Sequence, residues 1–344
     1  MLKKCLGLDI GSEQIKLVQL QRKGRNSYLV SSCQKIKTPE GSVANGKIMD
    51  VERLRKCLQL LIKGSGITTD NVVMGLASPE IMIRKTEFPS MPGKELAQAI
   101  RFELSDILML DDSSIEDIAF SYEVLHAGEN QQKVLVVGCR RELVEPYIDL
   151  LNSVGLVPWV IDIAAFALPR VIDTRNRICF VDLGAEQTVI YVEKNMTYSV
   201  YRILPFGGSL INNVIKETFG VDSYKAEDLK HRYDIDYLIS KGIGEKSLLS
   251  SVFQQYVGGI YQTLDYLRSQ ARASRLSEVI DEVVLSGGNS LITGFDQLIQ
   301  GELGIDVTVL DPFTGINFLS QTMPKEPPIY ANAVGLALRG LEEI

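Results

Sequence analysis

The sequence predicts an α/β protein of two lobes, each built on its own sheet, with a small α/β subdomain inserted into the first. Three observations lead there: the length, an internal repeat half a chain apart, and a glycine pair at a strand-to-helix junction. A chain of 344 residues is too long for one ordinary core and fits two lobes. Hydrophobic residues at 45% and charged residues at 23% are the composition of a folded chain rather than a disordered one. Residues 5–20 read CLGLDIGSEQIKLVQL and residues 178–193 read ICFVDLGAEQTVIYVE. Set aspartate on aspartate, Asp9 falls on Asp182, Gly11 on Gly184, and Glu13-Gln14 on Glu186-Gln187.

Each copy reads as a β-hairpin whose turn carries Asp-x-Gly. Glycine lets a backbone approach a ligand closely, so that amide N–H groups point into an anion. An aspartate just ahead of it can hold hydrated magnesium through oxygen. One copy alone is best read as an ordinary Asp-Gly turn, whereas two matched copies favour a duplicated phosphate-binding device. The third element, Val283-Val284-Leu285-Ser286-Gly287-Gly288-Asn289-Ser290, is a buried-type strand running into paired glycines, then a helix capped by Asn289 or Ser290. Such a junction presents amide donors at a helix start. By contrast, Gly41-Ser42-Val43-Ala44-Asn45-Gly46-Lys47-Ile48 only imitates a Walker A loop. Ile48 stands where the magnesium-binding hydroxyl belongs and no apolar strand precedes Gly41, so it reads as a loop leading to a helix capped by Asp50.

The remaining elements follow from periodicity. Strands are expected near 5–10, 14–21, 27–36 and 72–76, with a helix over 51–63 that places Leu54, Leu58 and Leu61 on one face. Residues 80–160 read as an insertion in the order β-α-β-β-α: strand 81–88, a Pro89–Gly93 breaker, helix 94–108, an acidic loop at 111–117, strands 118–125 and 134–138, and helix 142–154 ending at Gly155. After the second hairpin come strand 197–204, the Gly207-Gly208 turn, helix 209–219, a polar segment, a long helix over 248–273 and a last helix at 332–341.

Composition also excludes classes. The formal net charge of −7 argues against nucleic acid, whose backbone demands a basic face. Five scattered cysteines without a CxxC pair, and only two histidines, make a disulfide framework or zinc site improbable and fit a reducing cytoplasm. The N-terminal apolar run stops at Asp9, too early for a signal peptide. No uncharged apolar stretch reaches the roughly 18 residues a membrane crossing needs, so membrane contact is expected only through partners.

Taken in order, these motifs resemble the actin, sugar-kinase and DnaK-type ATPase superfamily. Asp9-Ile10-Gly11-Ser12 with Lys16 resembles its first phosphate motif, Asp182-Leu183-Gly184 with Thr188 the second, and Ser286-Gly287-Gly288-Asn289 the adenosine motif. Glu227 and Lys230 resemble the Glu-x-x-Lys pair that contacts ribose and adenine. Asp162 falls where bacterial relatives carry an acidic residue facing the attacking water. Ala331-Asn332-Ala333-Val334-Gly335-Leu336-Ala337 resembles the second connecting helix. The resemblance implies an actin-like (duplicated RNase H-like) two-lobed ATPase fold with an FtsA-type inserted subdomain. Its implied parts are 1–79 and the connecting helix 161–177 for the first lobe, 80–160 for the insertion, 178–220 and 248–331 for the second lobe, 221–247 for a small subdomain, and 332–344 for the C-terminal connecting helix.

It further implies ATP and magnesium as ligands. Asp9 and Asp182 would hold the metal largely through water, and Gly11, Ser12, Lys16, Gly184 and Gly208 would surround the phosphates. Gly287, Gly288, Asn289, Glu227 and Lys230 would serve the nucleoside, and Asp162 would be the candidate catalytic group, with Glu13 and Glu186 as the alternatives. Read without the resemblance, Lys16 is a solvent-facing strand lysine, Glu227 and Lys230 a surface helical pair, and Asp162 a helix N-cap.

Within the superfamily, Arg84-Lys85-Thr86-Glu87-Phe88-Pro89-Ser90-Met91-Pro92 followed by Glu95-Leu96-Ala97-Gln98-Ala99-Ile100-Arg101-Phe102-Glu103 looks like the PilM family of type IV pilus assembly proteins. An FtsA-like chain would run on into a linker and a membrane-binding helix, whereas this sequence stops at Glu342-Glu343-Ile344. The family implies a cytoplasmic ATP-binding platform that grips the N-terminal tail of PilN in a groove between the first large subdomain and the insertion, alongside other pilus assembly proteins at the inner membrane. It also implies slow hydrolysis, with ATP as a structural ligand or switch. The alternatives are a self-associating, filament-forming FtsA-like protein and a small-molecule kinase, whose polar substrate cluster the sequence lacks.

Overall fold

The computed structural model describes residues 3–24, 27–110, 112–172, 177–194, 197–241, 246–319 and 323–342. The chain divides into two compact units, Met1–Ala77 with Val154–Ile344, and Ser78–Ser153.

The first unit opens with an antiparallel meander of β1 (Lys4–Ile10), β2 (Gln14–Gly24) and β3 (Ser27–Lys37). A two-residue hairpin, β4 (Val43–Ala44) and β5 (Lys47–Ile48), follows, then helix α1 (Val51–Ser65) and strand β6 (Asn71–Leu76). Asp50 caps α1 by accepting the Arg53 N–H, Gly66 ends it at φ +64, and Leu54, Leu58 and Leu61 form its buried face.

The second unit contains β7 (Met82–Pro89), α2 (Gly93–Phe102), α3 (Leu104–Leu108), β8 (Ile118–Ala127), β9 (Gln131–Arg140) and α4 (Arg141–Ser153). Its antiparallel sheet has the order β7-β9-β8, and Phe88, Leu96, Ile100, Leu104, Leu108, Ile118, Val134 and Val136 make its core.

The chain then returns to the first unit through β10 (Val157–Ile163), β11 (Ile178–Leu183), β12 (Thr188–Lys194) and β13 (Thr197–Leu204). Helices α5 (Gly208–Phe219), α6 (Ser223–Arg232), α7 (Ile235–Lys241) and α8 (Lys246–Gln270) come next. The chain continues through β14 (Glu282–Ser286), α9 (Phe295–Leu303), β15 (Asp306–Val309), β16 (Asn317–Phe318) and α10 (Ala331–Leu341).

Topology shows the duplication that the repeat predicted. One sheet runs β10-β6-β1-β2-β3-β16 and the other β13-β12-β11-β14-β15. In each, a three-strand antiparallel meander is extended by two parallel strands beside its first strand. Asp9 stands opposite Gly75 on β6, and Asp182 opposite Ser286 on β14, so the two aspartates end equivalent strands. Helix α10 lies on the first sheet with nearly every residue buried. A Cβ on Gly75 would stand 2.9 Å from Leu336 and from Ala164, so this strand and helix pack because a glycine lies between them.

Several expectations are corrected. Val157–Ile163, placed above in the insertion 80–160 and the start of the helix 161–177, is an edge strand of the six-stranded sheet. Pro158 and the register shift beside it obscure its alternation, since proline tolerates an edge strand but breaks the pattern. The expected connecting helix is a 3₁₀ helix, Ala164–Val171, with Pro169 inside it; positions 173–176 lie outside the described residues. Helix 94–108 is two helices, broken at Glu103 with φ −94 and ψ 12. The acidic stretch at 111–117 forms a 3₁₀ turn, Asp112–Asp117, and position 111 lies outside the described residues. The Walker-like stretch is the β4–β5 hairpin, turned by Asn45 and Gly46 at φ +49 and +75, the Asn-Gly signature of a tight hairpin.

Candidate functional site

The two Asp-x-Gly turns close in the same way. Gly11 N–H donates to the Gln14 carbonyl and Gly184 N–H to the Gln187 carbonyl, each at 3.1 Å. A Cβ at Gly184 would stand 2.8 Å from the Gln187 oxygen, which excludes any other residue without movement. Among the described residues, the amides of Ser12, Glu13, Ala185 and Glu186 make no backbone hydrogen bond. Each turn therefore offers free donors beside an aspartate, the arrangement that cradles phosphate.

The environments of the two aspartates differ. Lys16 sits opposite Asp9 across β1 and β2, and its Nζ lies 3.0 Å from Asp9 Oδ2. Asp182 is held by neutral donors instead. Ser286 Oγ donates to its Oδ1 at 3.0 Å and Asn332 Nδ2 to its Oδ2 at 2.9 Å. Burial pushes the Asp182 carboxyl above the usual carboxylate range, and the nearby Asp9 charge pushes the same way. The Asn332 and Ser286 hydrogen bonds and the Lys16 charge oppose both. The two carboxylates thus face one electrostatic space.

Glycines shape the rest. Gly287 has φ +82 and ψ 173, a region open essentially to glycine alone, and a Cβ there would lie 2.6 Å from Asp182 Oδ1. At Gly288 a Cβ would meet nothing within 4 Å, which leaves room for a ligand. Gly208 donates its N–H to the Gly184 carbonyl at 2.9 Å, and Ser209 donates to Ala185 at 2.8 Å. These amides brace the second turn rather than facing a ligand. Asn289 does the same from the other side, donating Nδ2 to the Leu183 and Gly184 carbonyls at 3.1 and 2.6 Å. After β14 there is only a 3₁₀ turn, Gly288–Leu291, so the helix expected to be capped by Asn289 or Ser290 does not form there.

On α6, Glu227 accepts from Lys230 Nζ at 2.7 Å and Asn212 Nδ2 at 2.6 Å, with His231 Nε2 at 3.0 Å from its other oxygen. Burial would raise the Glu227 carboxyl, but the His231 bond and the Lys230 charge prevail and hold it well below the usual range. Lys230 is only 3% exposed, so this is no surface pair. Burial lowers the Lys230 ammonium, against the charges of Glu227 and of Glu13 in the first turn.

Asp162 stands level with Asp9 across β6, both opposite Gly75, and its carboxylate has partners of its own. Its Oδ1 accepts the Ile163 N–H at 2.8 Å, and Arg339 Nε of α10 stands 3.7 Å from its Oδ2. Burial raises its carboxyl, and the Glu342 charge pushes the same way, opposed by Arg170, the Ile163 N–H and Arg339. The N-cap of the following 3₁₀ helix is Ile163 rather than Asp162, whose carboxylate stands beside Arg339 of α10. Sequence reasoning assigned no role to Asn332 or Gln187. The signal for Asn332 was a lone amide in a helix otherwise of small and apolar residues with one arginine.

A family model described as type IV pilus assembly protein PilM matches residues 7–341. The chain belongs to the PilM family. Among solved structures, a PilM-PilN type IV pilus biogenesis complex is similar at TM-score 0.82 and 24% identity, covering 99% of each chain. Ethanolamine utilization protein EutJ from Carboxydothermus hydrogenoformans follows at TM-score 0.60 and 15% identity, over 98% of this chain and 90% of that one. MreB5 of Spiroplasma citri bound to AMPPNP reaches TM-score 0.52 and 11% identity, over 97% and 95%. These likenesses establish the actin-like ATPase fold. Cell division protein FtsA of Streptococcus pneumoniae is 22% identical over 89% of this chain and 75% of its own length. Among the described residues of this PilM-family chain, no helix is long and apolar enough to cross a membrane.

Proposed function

We propose that this PilM-family chain is an ATP- and magnesium-binding platform of the type IV pilus assembly complex. It takes the N-terminal cytoplasmic tail of a PilN-type partner, and through that partner it works at the inner membrane. The observation that carries the nucleotide half is the pair of aspartates ending equivalent strands and facing one electrostatic space. The residues fit the ligand. Asn332 Oδ1 is buried and accepts no hydrogen bond among the described residues, as an acceptor awaiting a donor such as metal-bound water does. Family membership and the likeness to a PilM-PilN complex support the partner half.

Magnesium, when bound, would neutralise phosphate charge. Asp9 and Asp182 would hold it through water, while the amides at Gly11-Ser12 and Gly184-Ala185 receive phosphate oxygens. Lys16 would exchange the Asp9 carboxylate for phosphate and so release Asp9 to the cation's water shell. The open face at Gly288 receives the nucleoside, with Gly287 and the Glu227–Lys230 pair beside it. Asp162 stays with Arg339, so ATP acts as a structural ligand or switch and hydrolysis is slow.

The test is titration of a labelled peptide carrying the PilN N-terminal tail, with and without Mg-ATP. Saturable binding at micromolar concentration is expected. Absence of binding in both conditions, with Mg-ATP still bound, overturns the platform assignment.

A further inference from the structure

The second phosphate turn is tied to the place where the chain leaves the first unit. Gln187 Nε2, from the turn between β11 and β12, donates to the Ala77 carbonyl at 2.9 Å. Ala77 is the last residue of its segment of the first unit, and Ser78 begins the second. Ser78 is 1% exposed and closes a turn at once: its carbonyl accepts the Ile81 N–H at 3.1 Å and its hydroxyl the Glu80 N–H at 3.3 Å. The same Gln187 contributes its carbonyl oxygen to the bond that closes the Gly184 turn. One residue therefore fixes the curvature of the phosphate turn with its backbone and holds the exit strand with its side chain. The counterpart residue, Gln14, has no such side-chain bond in the described set, so the tie is a feature of the second half alone. The remaining acceptor of Gln187, Oε1, is buried and unpartnered.

We propose that Gln187 is a positioning residue that relays occupancy of the second phosphate turn to the root of the Ser78–Ser153 unit through its bond to Ala77. This rests on the nucleotide assignment above. A ligand drawing on the Ala185 and Glu186 amides stiffens the turn, and the Gln187 side chain passes that stiffening to Ala77 and the Ser78–Ile81 turn. A single hydrogen bond of this class supports a relay of roughly two- to tenfold.

Hydrogen exchange at the Ile81 amide reads this without any partner. In the full chain, Mg-ATP should slow Ile81 exchange by about two- to tenfold. Gln187→Met keeps the chain length but removes the donor, and Gln187→Glu replaces the donor with an acceptor. Both should bind Mg-ATP while Ile81 exchange no longer responds, and the Mg-ATP dependence of PilN-tail affinity should shrink by the same factor. A wild-type chain that binds Mg-ATP with unchanged Ile81 exchange overturns the relay alone. The same holds if Gln187→Met responds as wild type does. A wild-type chain that fails to bind Mg-ATP overturns the nucleotide assignment, and the relay with it.

Discussion

Replacing Gly287 with alanine probes the site where backbone geometry and ligand chemistry meet. Its φ of +82 and ψ of 173 fall in a region that costs any other residue about 1–3 kcal/mol. The added Cβ would also stand 2.6 Å from both Asp182 Oδ1 and the Leu183 carbonyl, so one of them must move. Overpacking of this kind costs about 1–3 kcal/mol more. The sum, about 2–6 kcal/mol, is a large share of the roughly 5–15 kcal/mol that holds a typical domain folded. Displacing Asp182 Oδ1 loosens its Ser286 bond, and displacing the Leu183 carbonyl shifts the same turn, so Mg-ATP affinity should fall at least about tenfold, or 1.4 kcal/mol. Gly288→Ala is the matched control for stability, since its Cβ meets nothing within 4 Å. Thermal unfolding with and without Mg-ATP separates the two effects. At roughly 2 °C per kcal/mol, Gly287→Ala should lower the Tm by at least about 4 °C, and Gly288→Ala should leave it unchanged. Equal Tm in the two free variants, or a Gly287→Ala protein that binds Mg-ATP as tightly as wild type, would refute the reasoning.

Other expectations follow from the same geometry. Asp9→Ala should abolish magnesium-dependent ATP binding, measured by titration at fixed ATP; affinity that stays equal with and without the metal is the expected result. Glu227→Ala strips Lys230, 3% exposed, of its carboxylate. It should cost about 1–3 kcal/mol by chemical denaturation, less than for a fully buried pair because Glu227 is half exposed. Asp162 has a raised carboxyl, so the folded state binds its proton more tightly than the unfolded state does. Stability from this group is present below the ordinary value of 3.8 and is lost as pH rises through the raised one. Asp162→Asn should therefore flatten the fall in Tm just above pH 3.8 and leave Mg-ATP affinity unchanged; a loss of affinity would return Asp162 to the site. Gly335→Leu should prevent folding to a soluble protein, because a Cβ there already lies 2.7 Å from the Ala167 carbonyl carbon.

The duplication was legible because Asp-x-Gly with Glu-Gln recurs against two apolar strands, and strand order repeats with it. Local motifs carried this much because hairpins are specified by adjacent residues. What escaped was set by distant contacts. Asn332 acquires its role only when α10 brings it to Asp182, 150 positions away. Lys230 looked like a surface lysine and is 3% exposed, its ammonium on a Glu227 carboxylate that Asn212 also holds from α5. Asp162 preceded a run of small residues that reads as a helix start, but the strand continues to Ile163 and the next turn is 3₁₀. Pro169 and the edge position of β10 decide that, and neither follows from the 3.6-residue period.

The two halves share a topology yet divide the chemistry unevenly. Asp9 is matched with a cation, Lys16, whose ammonium can exchange it for a stronger anion. Asp182 is fixed by Ser286 and Asn332, neutral donors whose bonds persist whatever charge arrives. Burial at Asp182 makes an unshielded second carboxylate costly, so the neutral donors offset part of that cost while Lys16 lowers the repulsion from Asp9. The arrangement predicts opposite sensitivities. Lys16→Met should leave Asp9 uncompensated beside Asp182 and destabilise the free protein, with magnesium alone restoring much of the lost Tm. Asn332→Leu removes a fixed hydrogen bond to a charged group, worth about 1.5–3 kcal/mol, and magnesium cannot replace its geometry. If magnesium rescues both variants equally, the two aspartates are interchangeable and the asymmetry seen between them carries no functional weight.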